Sequence, residues 1–136
     1  MPRVPKAQIP LQVRGFEALY RLEVLSLGDE EATARVEVRD EVKQPAGLVH
    51  GGVFASLAES LATIATGNAV SEDGTSAHGL SSQTSFLRPI VAGTVHATAR
   101  RRHRGRTTWV WEVDVTDDEG RLCALVRMTV GVRRPR

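Results

Sequence analysis

One segment of this chain is patterned unlike all the rest. From Gly51 to about Val70 the apolar residues Val53, Leu57, Leu61 and Ile64 recur at helical spacing, whereas the apolar residues on either side alternate with polar ones. In Glu31 to Asp40, Ala32, Ala34, Val36 and Val38 alternate with Thr33, Arg35, Glu37 and Arg39, the period of a half-buried strand. The same period recurs in Val95, Ala97, Ala99, in Trp109, Trp111, Val113, Val115, and in Leu122, Ala124, Val126, Met128, Val130, Val132. Tyr20 to Leu27 pairs with the first of these strands through the turn Gly28-Asp29-Glu30, and Ser81 to Leu87 forms a further strand ending at Pro89. Asp117-Asp118-Glu119-Gly120 links the last two strands as a hairpin. The pattern predicts an α+β domain in which an antiparallel sheet of about six strands wraps one long central helix and buries its apolar stripe.

At 136 residues the chain suits a single domain, 1–136, with residues 1–17 as a loosely held arm rich in proline. Hydrophobic residues at 41% and charged residues at 25% argue against a disordered or fibrous chain. One cysteine, Cys123, excludes an intrachain disulfide, and no signal-like or membrane-spanning apolar run stands out. A cytoplasmic location is expected. His50, His78, His96 and His103 show no paired ligand spacing, so no metal is expected. Arginines cluster at Arg100 to Arg106 and Arg133 to Arg136 although the net charge is only +2. Their planar donor forks suit phosphate; a solvated strand face and a basic tail account for them equally well.

On the predicted helix, Ser56, Glu59, Thr63 and Thr66 follow spacings of three, four and three and share a polar face opposite Leu57 and Leu61. Glu59, set among small and apolar residues, is a candidate base or nucleophile; the alternative is a solvent-facing glutamate. His50-Gly51-Gly52 stands at the helix start, where bare backbone N–H groups have no intrahelical partner and can polarise a carbonyl or hold an anion. Alternatively, the glycines only shape a tight entry and His50 makes a local hydrogen bond.

Taken together, Gly47-Leu-Val-His-Gly-Gly-Val-Phe-Ala-Ser-Leu-Ala-Glu59, Ser85-Phe-Leu-Arg-Pro89 and Asp117-Asp-Glu-Gly-Arg-Leu-Cys-Ala124 resemble the hotdog-fold thioesterases, from about Ala18 to the end. More narrowly, the chain resembles the 4-hydroxybenzoyl-CoA thioesterase branch with a helix glutamate, related to the phenylacetate-pathway thioesterases. The resemblance implies hydrolysis of an aromatic acyl-CoA, of 4-hydroxybenzoyl or hydroxyphenylacetyl type, with no cofactor because coenzyme A belongs to the substrate. It implies that Glu59 attacks the thioester or activates water, that the Gly51 N–H polarises the carbonyl, and that Gln44 and Thr63 complete the catalytic set. His50, Thr107, Thr108, Arg88 and Arg136 would bind substrate, the arginines at the coenzyme A phosphates. Arg106 departs from the family pattern, where a small hydroxyl residue is expected beside Thr107. A homotetramer built from dimers with shared active sites is also implied.

Spacing independently favours sharing. Gly51 and Glu59 are eight positions apart, ~12 Å along a helix, so both can serve one carbonyl only if they come from different subunits. Two other functions compete. A hotdog dehydratase or hydratase would use His50 with Glu59, and a non-catalytic module would bind an acyl-CoA or, through its basic clusters, nucleic acid. Aromatic residues at 4% leave little for base stacking.

Overall fold

The computed structural model describes residues 8–136. Six strands form one antiparallel sheet in the order β1-β2-β4-β5-β6-β3. They are β1 (Glu23–Leu27), β2 (Glu31–Glu37), β3 (Ser76–Phe86), β4 (Thr94–Arg104), β5 (Thr108–Thr116) and β6 (Leu122–Arg133). The long helix α2 (Gly51–Val70) follows β2, and a short helix α1 (Gly15–Leu19) precedes β1. Of the predicted arm, residues 1–7 lie outside the described residues. Gly15–Leu19 is helical, and Tyr20 beyond it packs on α2 instead of opening β1 as expected. Arg21, in the left-handed region at φ 56°, turns the chain into β1.

The period-two pattern sets the core. Ala32, Ala34 and Val36 of β2, Val95, Ala97 and Ala99 of β4, Trp109, Trp111, Val113 and Val115 of β5, and Ala124, Val126, Met128 and Val130 of β6 are all buried. They face Phe54, Leu57, Ala58, Leu61, Ala62 and Ala65 of α2. Leu57 and Leu61 are fully buried as expected, but Val53 and Ile64 are only half-buried. The buried arc is centred on the helix alanines instead, because small side chains let the curved sheet close on the helix. By length and composition α2 could cross a membrane; here its apolar arc is spent against the sheet.

Thr66 departs from the predicted polar stripe and is completely buried. Its hydroxyl donates to the Ala62 carbonyl at 2.8 Å and accepts from the Trp111 indole N–H at 2.9 Å. Thr66 lies at the edge of the stripe, and the sheet covers that edge over the second half of the helix. β3 begins at Ser76, five residues earlier than the predicted start at Ser81. Its polar and glycine-containing start gives no period-two signal because β3 is an edge strand, with β6 on one side only.

Candidate active site

The helix entry is built by the loop before it. Gln44 N–H donates to Leu48 O at 2.8 Å, Gly47 N–H to Gln44 O at 2.9 Å, and His50 N–H to Val42 O at 2.9 Å. Gly47 sits at φ 93°, a conformation that suits glycine. Val49 N–H donates to Ile90 O at 2.8 Å and ties the loop to the segment after β3. The Gln44 side chain turns back into the loop, its Oε1 accepting from Ala46 N–H at 2.5 Å. That contact uses the amide oxygen and leaves the amide NH2 for other acceptors.

His50 is the N-cap, with extended backbone, and its Nδ1 accepts from Gly52 N–H at 2.8 Å. The local-hydrogen-bond reading of His50 therefore holds. A Cβ at Gly52 would lie 2.9 Å from that nitrogen, so the bare residue makes room for the cap. Gly51 has a different reason to be glycine: a Cβ there would lie 2.8 Å from Cε1 of Phe86. Among the described residues, no acceptor meets the Gly51 N–H, which leaves it as an orphan donor at the positive end of a 20-residue helix.

Glu59 is exposed in the isolated chain. Its stem lies across the inner face of β3: a Cβ at Gly79 would be 3.7 and 3.8 Å from Glu59 Cγ and Cδ. Gly51 and Glu59 thus occupy one margin of α2, at opposite ends of β3, and the unbroken helix keeps them ~12 Å apart. Thr63, the next turn along, holds its Oγ1 out of water without a hydrogen-bond partner among the described residues.

Tyr20 is a neighbour that sequence reasoning missed, having assigned it to a strand. Its hydroxyl lies 2.7 Å from Ser60 Oγ and 3.4 Å from the Ser56 carbonyl. Burial makes the phenol a weaker acid and pushes its pKa up to about 12; the Ser60 hydrogen bond opposes the shift, and the Glu17 and Glu59 carboxylates add to it. No sequence signal separates this tyrosine from the strand that follows. Beside it, a groove of about 450 Å³ runs over Phe16, Leu19, Val42, Val53 and His50.

The other predicted binding residues lie apart. Thr108 pairs with Gly131, which pairs with His78 beside Gly79, so two strand spacings, ~10 Å, separate it from β3. Thr107 accepts Val132 N–H through its carbonyl at the same end of the sheet. Arg88 follows β3 and donates its N–H to Cys123 O, whereas Arg136 lies beyond the far end of β6; the ten-position separation of Cys123 from Arg133 spans ~33 Å. One chain does not bring these two arginines together.

Much of the first arginine cluster is engaged in ion pairs within the chain. Arg100 pairs with Glu31 and Asp114, Arg101 with Glu30, and Arg102 with Glu112. Arg101 and Arg104 also flank Trp109, at 5.2 and 4.8 Å from its ring centre. Arg104, Arg106 and Arg134 line a cleft of about 280 Å³ that also holds the carboxylates of Glu72 and Asp73.

A sequence profile of the thioesterase superfamily matches residues 46–124, from just before the helix entry to the start of β6. A Mycobacterium tuberculosis protein provisionally named an esterase is 37% identical over 123 residues, covering 88% of each chain. A Listeria monocytogenes 1,4-dihydroxy-2-naphthoyl-CoA hydrolase is 34% identical over 122 residues, covering 90% of this chain and 98% of its own. The crystal structure of a thioesterase from Haemophilus influenzae superposes with a TM-score of 0.82 at 31% identity, covering 87% of this chain and 82% of that one.

Proposed function

Because this chain belongs to the thioesterase superfamily, has the hotdog fold and is a thioester hydrolase, we propose that it hydrolyses an aromatic acyl-coenzyme A. The candidates are thioesters of 4-hydroxybenzoyl or hydroxyphenylacetyl type, cleaved to the free acid and coenzyme A. The observation that carries the reading is the presence, on one margin of α2, of both the unpartnered Gly51 N–H and the Glu59 carboxylate. That the Listeria relative bears the name of an aromatic acyl-CoA hydrolase supports the substrate class.

Thioester hydrolysis passes through a tetrahedral centre whose oxygen gains negative charge. A preorganised N–H at a helix start stabilises that oxygen more than the substrate carbonyl, and this role falls to Gly51. Glu59 supplies the attacking oxygen directly or takes the proton of an attacking water; the carbon–sulfur bond then breaks and the thiolate of coenzyme A leaves. A thiolate is a good leaving group, so one carboxylate suffices without a Ser-His-Asp triad. The free amide NH2 of Gln44 and the unpartnered Thr63 hydroxyl would orient the carbonyl and the nucleophile. His50, Thr107, Thr108, Arg88 and Arg136 are proposed to line the rest of the substrate's path, the arginines at the phosphates.

The ~12 Å between Gly51 and Glu59 requires that each site combine Gly51 of one subunit with Glu59 of another. A dimer, and by family resemblance a homotetramer of two dimers, follows. The separation of Arg88 from Arg136 fits the same arrangement, since different subunits can supply them to one nucleotide. A competing dehydratase role for His50 would have to run through Nε2 alone, since Nδ1 accepts the helix-cap hydrogen bond from Gly52.

Thiol release from aromatic, short-chain and long-chain acyl-CoAs, measured for wild type beside Glu59→Ala, tests the proposal. Turnover of the aromatic substrates with a loss of at least ~10²-fold in the variant is the expected result for a direct acid–base or nucleophilic group. Full activity in Glu59→Ala would remove Glu59 from the mechanism.

A further inference from the structure

The inner face of β3, which borders the margin of α2 carrying Gly51 and Glu59, is almost bare. Reading from the Glu59 end, Ala77, Gly79, Ser82, Thr84 and Phe86 pair with the inward-facing Val132, Val130, Met128, Val126 and Ala124 of β6. Only the last of the five β3 residues is bulky. Its ring lies directly on the backbone of Gly51, where an added Cβ would meet Cε1 at 2.8 Å, Cζ at 3.0 Å and Cδ1 at 3.4 Å. Phe54, 3% exposed, supports it from the core with ring centres 6.4 Å apart and planes tilted by 32°. Phe86 itself remains 58% exposed, so the ring is braced at one edge and open elsewhere.

We infer that Phe86 is a specificity-determining residue: its ring is the wall beside the Gly51 N–H against which a flat aromatic acyl group packs. This rests on the proposed thioesterase site. A carbonyl oxygen within hydrogen-bonding reach of the Gly51 N–H, about 3 Å, brings the acyl carbon next to the residue that Phe86 covers. An aryl group attached to that carbon then falls within the 4.5–7 Å at which aromatic rings pair favourably. A saturated chain of similar size gains burial from the same wall but no ring pairing. The small residues between Gly79 and Thr84 leave the rest of the slot open, so no other side chain of β3 can impose this preference.

The test compares kcat/KM for benzoyl-CoA and hexanoyl-CoA in wild type, Phe86→Tyr, Phe86→Leu and Phe86→Ala, with elution volume checked for each. Leucine keeps apolar volume at the end of β3, and so guards against loss of assembly in the alanine variant. The aromatic-to-aliphatic ratio is expected to be retained in Phe86→Tyr and to fall about 3- to 10-fold in Phe86→Leu and Phe86→Ala, the size of one aromatic pair. An unchanged ratio in the leucine variant, with both substrates affected equally, overturns the role. Wild type that cleaves hexanoyl-CoA but not benzoyl-CoA overturns it too while leaving thioester hydrolysis intact. Wild type inactive on both substrates removes the proposed function and the inference with it.

Discussion

Glycine is used twice in succession at the start of α2, for two unrelated reasons: Gly52 admits the capping imidazole of His50, and Gly51 admits the ring of Phe86. The second can be separated from the proposed chemistry by paired substitutions. Gly51→Ala adds the crowding Cβ but keeps the N–H. Gly51→Pro also removes the N–H, at a first helical position that tolerates proline and after a residue already extended at φ −62°, ψ 134°. If the N–H polarises the thioester, Gly51→Pro loses a further ~10²–10³-fold in kcat relative to Gly51→Ala; equal rates would assign the effect to crowding alone. Thr66 offers a contrast, a polar residue whose work is structural. Thr66→Val leaves the Trp111 indole N–H buried without an acceptor and should cost about 1–3 kcal/mol in denaturant unfolding, with kcat for the folded protein nearly unchanged.

At the level of elements, the sheet closes on α2 through small side chains on both surfaces, so the few large ones in the contact matter. Leu61, fully buried where the helix meets the sheet, should lose about 2–5 kcal/mol on truncation to alanine, read as a lowered urea midpoint with unchanged slope. The β5–β6 hairpin depends instead on charge. Burial of Asp117 pushes its carboxyl up, but hydrogen bonds from the Arg121 and Glu119 N–H groups and the Arg121 guanidinium at 2.7 Å outweigh it and hold the carboxyl below its usual range. A depressed carboxyl stabilises the fold above its unfolded value, about 4, and loses that contribution as pH falls through the lower folded value. The melting temperature of wild type should therefore exceed that of Asp117→Asn near neutrality, with the gap closing below about pH 4. A gap that stays constant on acidification would show that shape, not charge, holds the turn.

The whole molecule presents β3 as an 11-residue strand with one side unpaired, bordering the margin of α2 that carries the proposed catalytic groups. Long open edges invite pairing with another chain, and the proposed division of each site between subunits gives the pairing a consequence in activity. Mixed dimers of Gly51→Pro with Glu59→Ala contain one site with both lesions and one with neither. Such mixtures should regain about half the wild-type rate per mixed dimer, since twofold symmetry yields two equivalent sites. No recovery after verified subunit exchange would overturn the division of each site between subunits that is drawn from the ~12 Å separation.

Much of the fold was legible in the sequence. Period-two alternation marked β2, β4, β5 and β6, one helical repeat marked α2, and a turn ending in Gly120 marked the last hairpin. These signals are local, because one-sided burial imprints its period directly on the chain. The candidate residues Gly51 and Glu59 were legible for a related reason: a polar residue and paired glycines stand out against an apolar helix. What required the tertiary structure was everything set by the neighbour across the gap. The helix repeat did not reveal that the alanines, more than Val53 or Ile64, lie at the centre of the buried arc. Nor did it reveal that Thr66 is covered, because sheet curvature decides where the polar stripe ends. The start of β3 carries no alternation because an edge strand beside a helix margin is not buried on one clean face. Tyr20 on α2, Phe86 on Gly51, and Arg100 to Arg102 in ion pairs across the strands all join residues far apart in sequence. Chain spacing holds no record of such contacts; they exist only once the sheet has closed around the helix.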